Sequence, residues 1–106
     1  MEFTIDIRTS TYRTVIKPYG DMVAKNSLIF AGRMRTCDEP FVGDVVVDLS
    51  DTTAIDSHAL GVLVYWWKRL KEEGREFTFV RPHRAIERKL QVTGLDQVFR
   101  VIDDAG

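Results

Sequence analysis

Asp56, Ser57 and His58 set a carboxylate, a hydroxyl and an imidazole side by side, the three groups from which hydrolases build an activated nucleophile. Three consecutive side chains cannot form the nucleophile, base and orienting-acid line that such catalysis requires. Nor does the chain contain a G-x-S-x-G turn to present a serine in another way. The other chemistry open to Ser57 is to accept a phosphate. Before it, the apolar run from Val45 to Leu49 breaks into a polar turn and then into an amphipathic segment, the pattern of a buried strand passing over a loop into a helix. Ser57 therefore falls in the first turn of that helix. Backbone N–H groups are unpaired there and the peptide dipoles add partial positive charge, so up to two phosphate charges would sit at the favourable end. Asp56, directly before the helix, reads first as its cap and second as a charge that helps a kinase recognise Ser57.

The remaining reactive residues are scattered. His58 and His83 lie far apart without a matching ligand cluster, so no metal site is expected. Cys37 is the only cysteine, which excludes an intrachain disulfide and a cysteine-based zinc site, and it falls in a segment from Thr36 to Gly43 that reads as a loop. Its thiol is read as incidental. No glycine-rich phosphate loop is present, so neither ATP by a P-loop nor a dinucleotide is expected, and no cofactor is assigned. A formal net charge of -1 gives no bulk attraction to nucleic acid or to an anionic membrane. The basic run Arg81, His83, Arg84, Arg88 and Lys89 reads as a solvated face able to meet an acidic partner. No apolar run approaches the ~20 residues of a membrane span, and the N-terminus lacks the features of a signal peptide. The expectation is one cytoplasmic domain over residues 1–106, large enough to bury a core without staples.

The elements that must position Ser57 follow from periodicity. Phe3 to Ile7 alternates as a half-buried strand, Arg8 to Thr11 turns the chain, and Tyr12 to Ile16 forms the second strand of a hairpin, ended by Pro18 and Gly20. Asp21 to Arg35 reads as a helix with Asp21 as its cap. Val45 to Leu49 is apolar on both alternations except at Asp48, as in a strand covered on two faces. The helix from Ser57 to Glu73 buries Leu60, Leu63, Val64, Trp67 and Leu70 and stops at Gly74. Phe77 to Val80 is a strand closed by Pro82, and Arg84 to Val92 a helix that buries Ile86 and Leu90. Leu95 to Phe99 reads as a helical turn, and Val101-Ile102 as a last strand fragment. Strand and helix alternate after residue 44, which demands crossover connections and so parallel strands with helices packed on them.

Two features of the central helix remain. Gly61 costs roughly 1 kcal/mol relative to alanine inside a helix, which points to close backbone approach, by the core in the first reading and by a partner in the second. Tyr65 and Trp66 lie off the apolar stripe, covering the sheet margin or offering a surface for a partner or a second copy.

Val46-Val47-Asp48-Leu49, Ile55-Asp56-Ser57 with Leu60-Gly61-Val62-Leu63, Lys71 to Gly74, and Thr93-Gly94-Leu95 together make the chain resemble the STAS domain family, in particular the bacterial anti-sigma factor antagonists. The resemblance spans nearly the whole chain and implies an α/β fold, a mixed, mostly parallel sheet with helices mainly on one face. It implies a non-enzymatic signalling protein that regulates transcription by partner switching. The partner it implies is an anti-sigma factor that is also a serine kinase of the histidine-kinase-like ATPase type. Phosphorylation of the serine after the motif aspartate, Ser57 here, breaks that association, and a serine phosphatase resets it. Asp56, Ser57, His58, Gly61 and Val62 are the implied partner face. The family motif usually continues with Ser or Thr and then Gly, where this chain has His58 and Ala59. Its usual Gly-Glu-Leu-Asp is here Gly20-Asp21-Met22-Val23, without the final acid. An alternative within the same fold is an unphosphorylated STAS subunit of a larger complex, such as a lipid transporter. A homodimer is a further alternative.

Overall fold

The computed structural model describes residues 2–35 and 41–102; Cys37 and most of the loop read at 36–43 lie outside them. The chain opens with a hairpin of β1 (Thr4–Thr9) and β2 (Arg13–Tyr19), antiparallel with Thr9 opposite Thr14. The Ser10 hydroxyl accepts the Tyr12 and Arg13 amides at 3.4 and 3.3 Å, which closes the turn. Helix α1 (Ala24–Arg35) leads to β3 (Asp44–Asp48), α2 (Ser57–Glu72) to β4 (Phe77–Val80), and α3 (Arg84–Thr93) with a short 3-10 turn to β5 (Arg100–Ile102). The five strands lie in sequence order, and every neighbour from β2 onward is parallel. Right-handed crossovers taken in one direction across a sheet place all their helices on one face. The core agrees, because one apolar cluster joins Phe30 and Met34 of α1, Leu63 and Leu70 of α2, and Ile86 and Leu90 of α3 to Ile16, Val45, Val47 and Phe79 of the sheet.

Local chemistry explains most boundaries. Gly74 ends α2 in the left-handed region at φ +72°, with its amide and that of Arg75 returning to the carbonyls of Lys71 and Leu70. Leu60, Leu63 and Leu70 are buried as the helical spacing predicts, while Val64 and Trp67 are half-buried against the core. Ala59, which the apolar stripe did not include, is fully buried.

Two expectations are corrected. Pro18 does not end β2 but sits within it, opposite Ile5. Its carbonyl accepts from the Thr52 hydroxyl on the side facing β3, where the ladder with that strand stops at Ile16. The missing N–H therefore breaks no ladder bond. Helix α1 begins at Ala24 rather than Asp21, and Asp21 does not cap it, because its side chain is engaged across the molecule with Thr53 and Ala54. No helix among the described residues is long and apolar enough to cross a membrane.

Gly43 shows how closely the chain passes itself before β3. It sits at φ +59°, and a Cβ there would lie 1.8 Å from the Tyr12 carbonyl oxygen, whereas a Cβ at Gly74 would meet nothing within 4 Å. Gly43→Ala is expected to lower the unfolding free energy by about 2–4 kcal/mol and Gly74→Ala by only about 1 kcal/mol. Chemical denaturation of the two variants checks this, and equal losses would contradict the packing described.

Candidate functional site

The segment between β3 and α2 is held by a second loop, the one that joins β2 to α1. Gly20 donates its amide to Asp51 at 3.0 Å, Met22 donates to Ala54 at 2.9 Å, and Asp56 donates to Met22 at 2.9 Å. Met22 and Ile55 thereby form a parallel bridge outside the sheet proper. Two buried or partly buried side chains reinforce this seam. The Thr52 hydroxyl donates to the Gly20 carbonyl at 2.9 Å, and Asp21 Oδ1 accepts the Thr53 amide at 2.7 Å, the Thr53 hydroxyl at 2.8 Å and the Ala54 amide at 3.2 Å. The Thr53 amide and hydroxyl hold the Asp21 carboxyl below its ordinary pKa, against a partial opposing effect of burial.

Asp56 lies at the end of the seam. Its backbone is extended, and its carboxylate accepts the Ala59 amide of α2 at 3.0 Å through one oxygen and the Ala24 amide of α1 at 2.9 Å through the other. One carboxylate thus serves the N-termini of two helices, whose dipoles both favour its negative charge. The bond from the Ala59 amide is the main reason its pKa is lowered. The nearby Ser27 hydroxyl, the Ala24 amide and the His58 ring act in the same direction, and burial opposes them. The Ser27 oxygen is buried and has no hydrogen-bond partner among the described residues. Ala24 is held at φ +50°, a conformation that costs alanine roughly 1–2 kcal/mol, so the carboxylate also pins a strained residue.

Ser57 follows as the first residue of α2 and is exposed, with no hydrogen bond to its hydroxyl among the described residues. His58 is exposed beside it, and Asp56 is engaged with two amides, so the three groups do not form a catalytic line. His83 lies elsewhere, its ring Nε2 3.2 Å from the Ser50 carbonyl. No group of three or more metal-ligating side chains occurs among the described residues.

Beyond Ser57 a groove of about 740 Å³ runs between α1 and α2, lined by His58, Gly61, Val62 and Tyr65 on one side and Ala31 and Met34 on the other. Three of its charged groups, Arg69, Glu73 and Arg75, are already engaged. Arg75 donates to the carbonyls of Gly43 and Phe41 and to Glu73, and Arg69 contacts the Tyr65 hydroxyl and the Trp66 ring. Gly61 corrects the first reading of the sequence. It is exposed, and a Cβ built on it meets nothing within 4 Å among the described residues, so no core packing requires glycine there. The aromatic pair divides. Trp66 is half-buried with its ring 4.8 Å from that of Phe41, whereas Tyr65 is 57% exposed.

Because the Asp21 and Asp56 carboxyls have lowered pKa values in the fold, their contribution to stability is complete above the unfolded value near 3.8. It is lost as the pH falls through the lower folded values. Asp21→Ala and Asp56→Ala are each expected to cost about 1–2 kcal/mol near neutral pH. In urea unfolding, that difference from the unmodified chain should narrow at about pH 3. A difference that stays constant with pH would show that the ionised carboxylates are not the cause.

Comparison with known proteins agrees with this architecture. Two curated relatives named "Putative anti-sigma factor antagonist" or its homolog match in part, from Thermotoga neapolitana at 37% identity over 59 residues and from Thermotoga maritima at 40% over 55 residues. These alignments cover 56% and 52% of this chain, and the chain spans about half the length of the curated relatives it matches, 52% and 49%. The crystal structure of an anti-sigma factor antagonist from Mycobacterium paratuberculosis superposes with a TM-score of 0.81 at 22% identity, covering 98% of this chain and 88% of that one. The antagonist SpoIIAA in its unphosphorylated form gives 0.71 at 13% identity, covering 99% and 90%. At these identities the structures show the fold alone. The sequence model of the STAS domain matches residues 4–105, nearly the entire chain, and the protein belongs to the STAS domain family.

Proposed function

We propose that this STAS domain is an anti-sigma factor antagonist, a binding module whose partner is an anti-sigma factor with serine kinase activity and whose switch is phosphorylation of Ser57. The observation that carries the reading is the placement of Ser57. Its hydroxyl is exposed and, among the described residues, unbonded at the tip of α2, while Asp56 before it and the Ala59 amide after it are held by one hydrogen bond. A kinase can reach such an oxygen without unfolding the loop. Family membership and relatives that carry the antagonist name support the same reading.

The partner face in this proposal comprises Asp56, Ser57, His58, Gly61 and Val62. Gly61 supports the assignment, because a glycine that no packing among the described residues needs leaves the exposed helix surface flat where another chain can approach the backbone. A phosphate added to Ser57 brings up to two negative charges into that contact and beside the Asp56 carboxylate. Desolvation and repulsion amounting to ~3 kcal/mol would weaken association over a hundredfold. The fold tolerates the same charge, since it sits at the positive end of α2. A serine phosphatase returns the protein to its binding state.

Two experiments test the proposal. With the cognate kinase and ATP, Ser57 is expected to become phosphorylated. Ser57→Asp is expected to weaken partner binding by about tenfold or more while Ser57→Ala binds as the unmodified chain does. Identical binding by both variants, with Ser57 left unmodified, would falsify the switch. Gly61→Ala separates surface from core: it should leave stability unchanged or raise it by up to about 1 kcal/mol, yet weaken the partner complex by about tenfold. A variant that binds normally would remove Gly61 from the contact.

A further inference from the structure

Lys89 lies on α3 in a run of basic residues that the sequence presents as a solvated face, yet its side chain is half-buried. Its Nζ donates to the Ile55 carbonyl at 2.5 Å, 34 residues away along the chain. That carbonyl belongs to the peptide unit whose N–H is the Asp56 amide, and the amide donates to Met22 at 2.9 Å. The peptide plane immediately before Asp56 is therefore held at both ends, by α3 through its oxygen and by the β2–α1 loop through its nitrogen. Rotation of that plane would swing the Asp56 carboxylate off the Ala59 and Ala24 amides and would turn Ser57 with it. Ile55 is only 4% exposed, so its carbonyl has little access to water as a substitute donor.

We propose that Lys89 is a positioning residue for Ser57, acting through the Ile55–Asp56 peptide and tying α3 to the loop that presents the phosphate acceptor. This rests on the reading of Ser57 as that acceptor, but the geometric part can be decided without any kinase. Lys89→Met keeps an unbranched stem of similar size and removes the donor; Lys89→Arg restores one. Amide hydrogen exchange of the isolated protein should speed up by about tenfold at Asp56 and Ala59 in Lys89→Met, with the core amide of Leu63 unchanged, and should return toward the original rate in Lys89→Arg. The rate of Ser57 phosphorylation, as kcat/KM with the kinase that modifies the unmodified chain, should fall and recover in the same two variants. Unchanged exchange at Asp56 in Lys89→Met overturns the proposal. So does a uniform rise that includes Leu63, since that marks a general loss of stability, and so does a phosphorylation rate that ignores a real change in exchange. If the unmodified chain is never phosphorylated, the switch at Ser57 fails, and the exchange data still decide whether Lys89 positions the loop.

Discussion

The Asp56 carboxylate is the contact on which the surroundings of Ser57 depend. Its two oxygens accept amides from the first turns of α1 and α2, so it ties together two helices that approach each other by their positive ends. Without a negative group between them, those ends would repel, and both would leave buried or strained amides unpaired. Asp21 performs a parallel task one loop away, accepting from Thr53 and Ala54, and the backbone bonds between Gly20, Met22 and the 51–56 segment complete the seam. Ser57 is thus an exposed side chain, unbonded among the described residues, on a fixed backbone.

That arrangement separates what the fold needs from what the surface shows. Leu60 and Leu63 are buried, whereas Ser57, Gly61 and Tyr65 are exposed, and a Cβ added at Gly61 meets nothing within 4 Å among the described residues. In the proposed switch a phosphate on Ser57 would need no conformational rearrangement, because its energetic consequence would fall on the contact with a partner. Asp48 has a contrasting role. Burial pushes its carboxyl up, and the Ser50 amide and hydroxyl with Arg81 outweigh that effect, so its charge is used inside the structure.

Much of this was legible in the sequence where local rules operate. The valine run, the aspartate before Ser57, the leucine spacing of α2 and the glycine after it each point to the observed element, because strand burial, capping and helix termination are set by residues within a few positions. Contacts across about thirty residues were not legible. Asp21 looks like a helix cap and instead serves Thr53, Pro18 looks like a strand end and lies inside a strand whose ladder has stopped on one side, and Lys89 looks solvated while reaching Ile55. Gly61 was readable as an anomaly in a helix, but only the space around it distinguishes a packing need from an open face.

The central claim is that the partner docks on the exposed side of the α2 N-terminus, around a serine held in place from behind. The most direct measurement is the footprint of the bound anti-sigma factor on the isotopically labelled chain, read by backbone amide NMR. Perturbations concentrated at residues 56–65, and lost once Ser57 carries phosphate, are the predicted result. A footprint on the open face of the sheet or along α3, unaffected by the state of Ser57, would contradict the account.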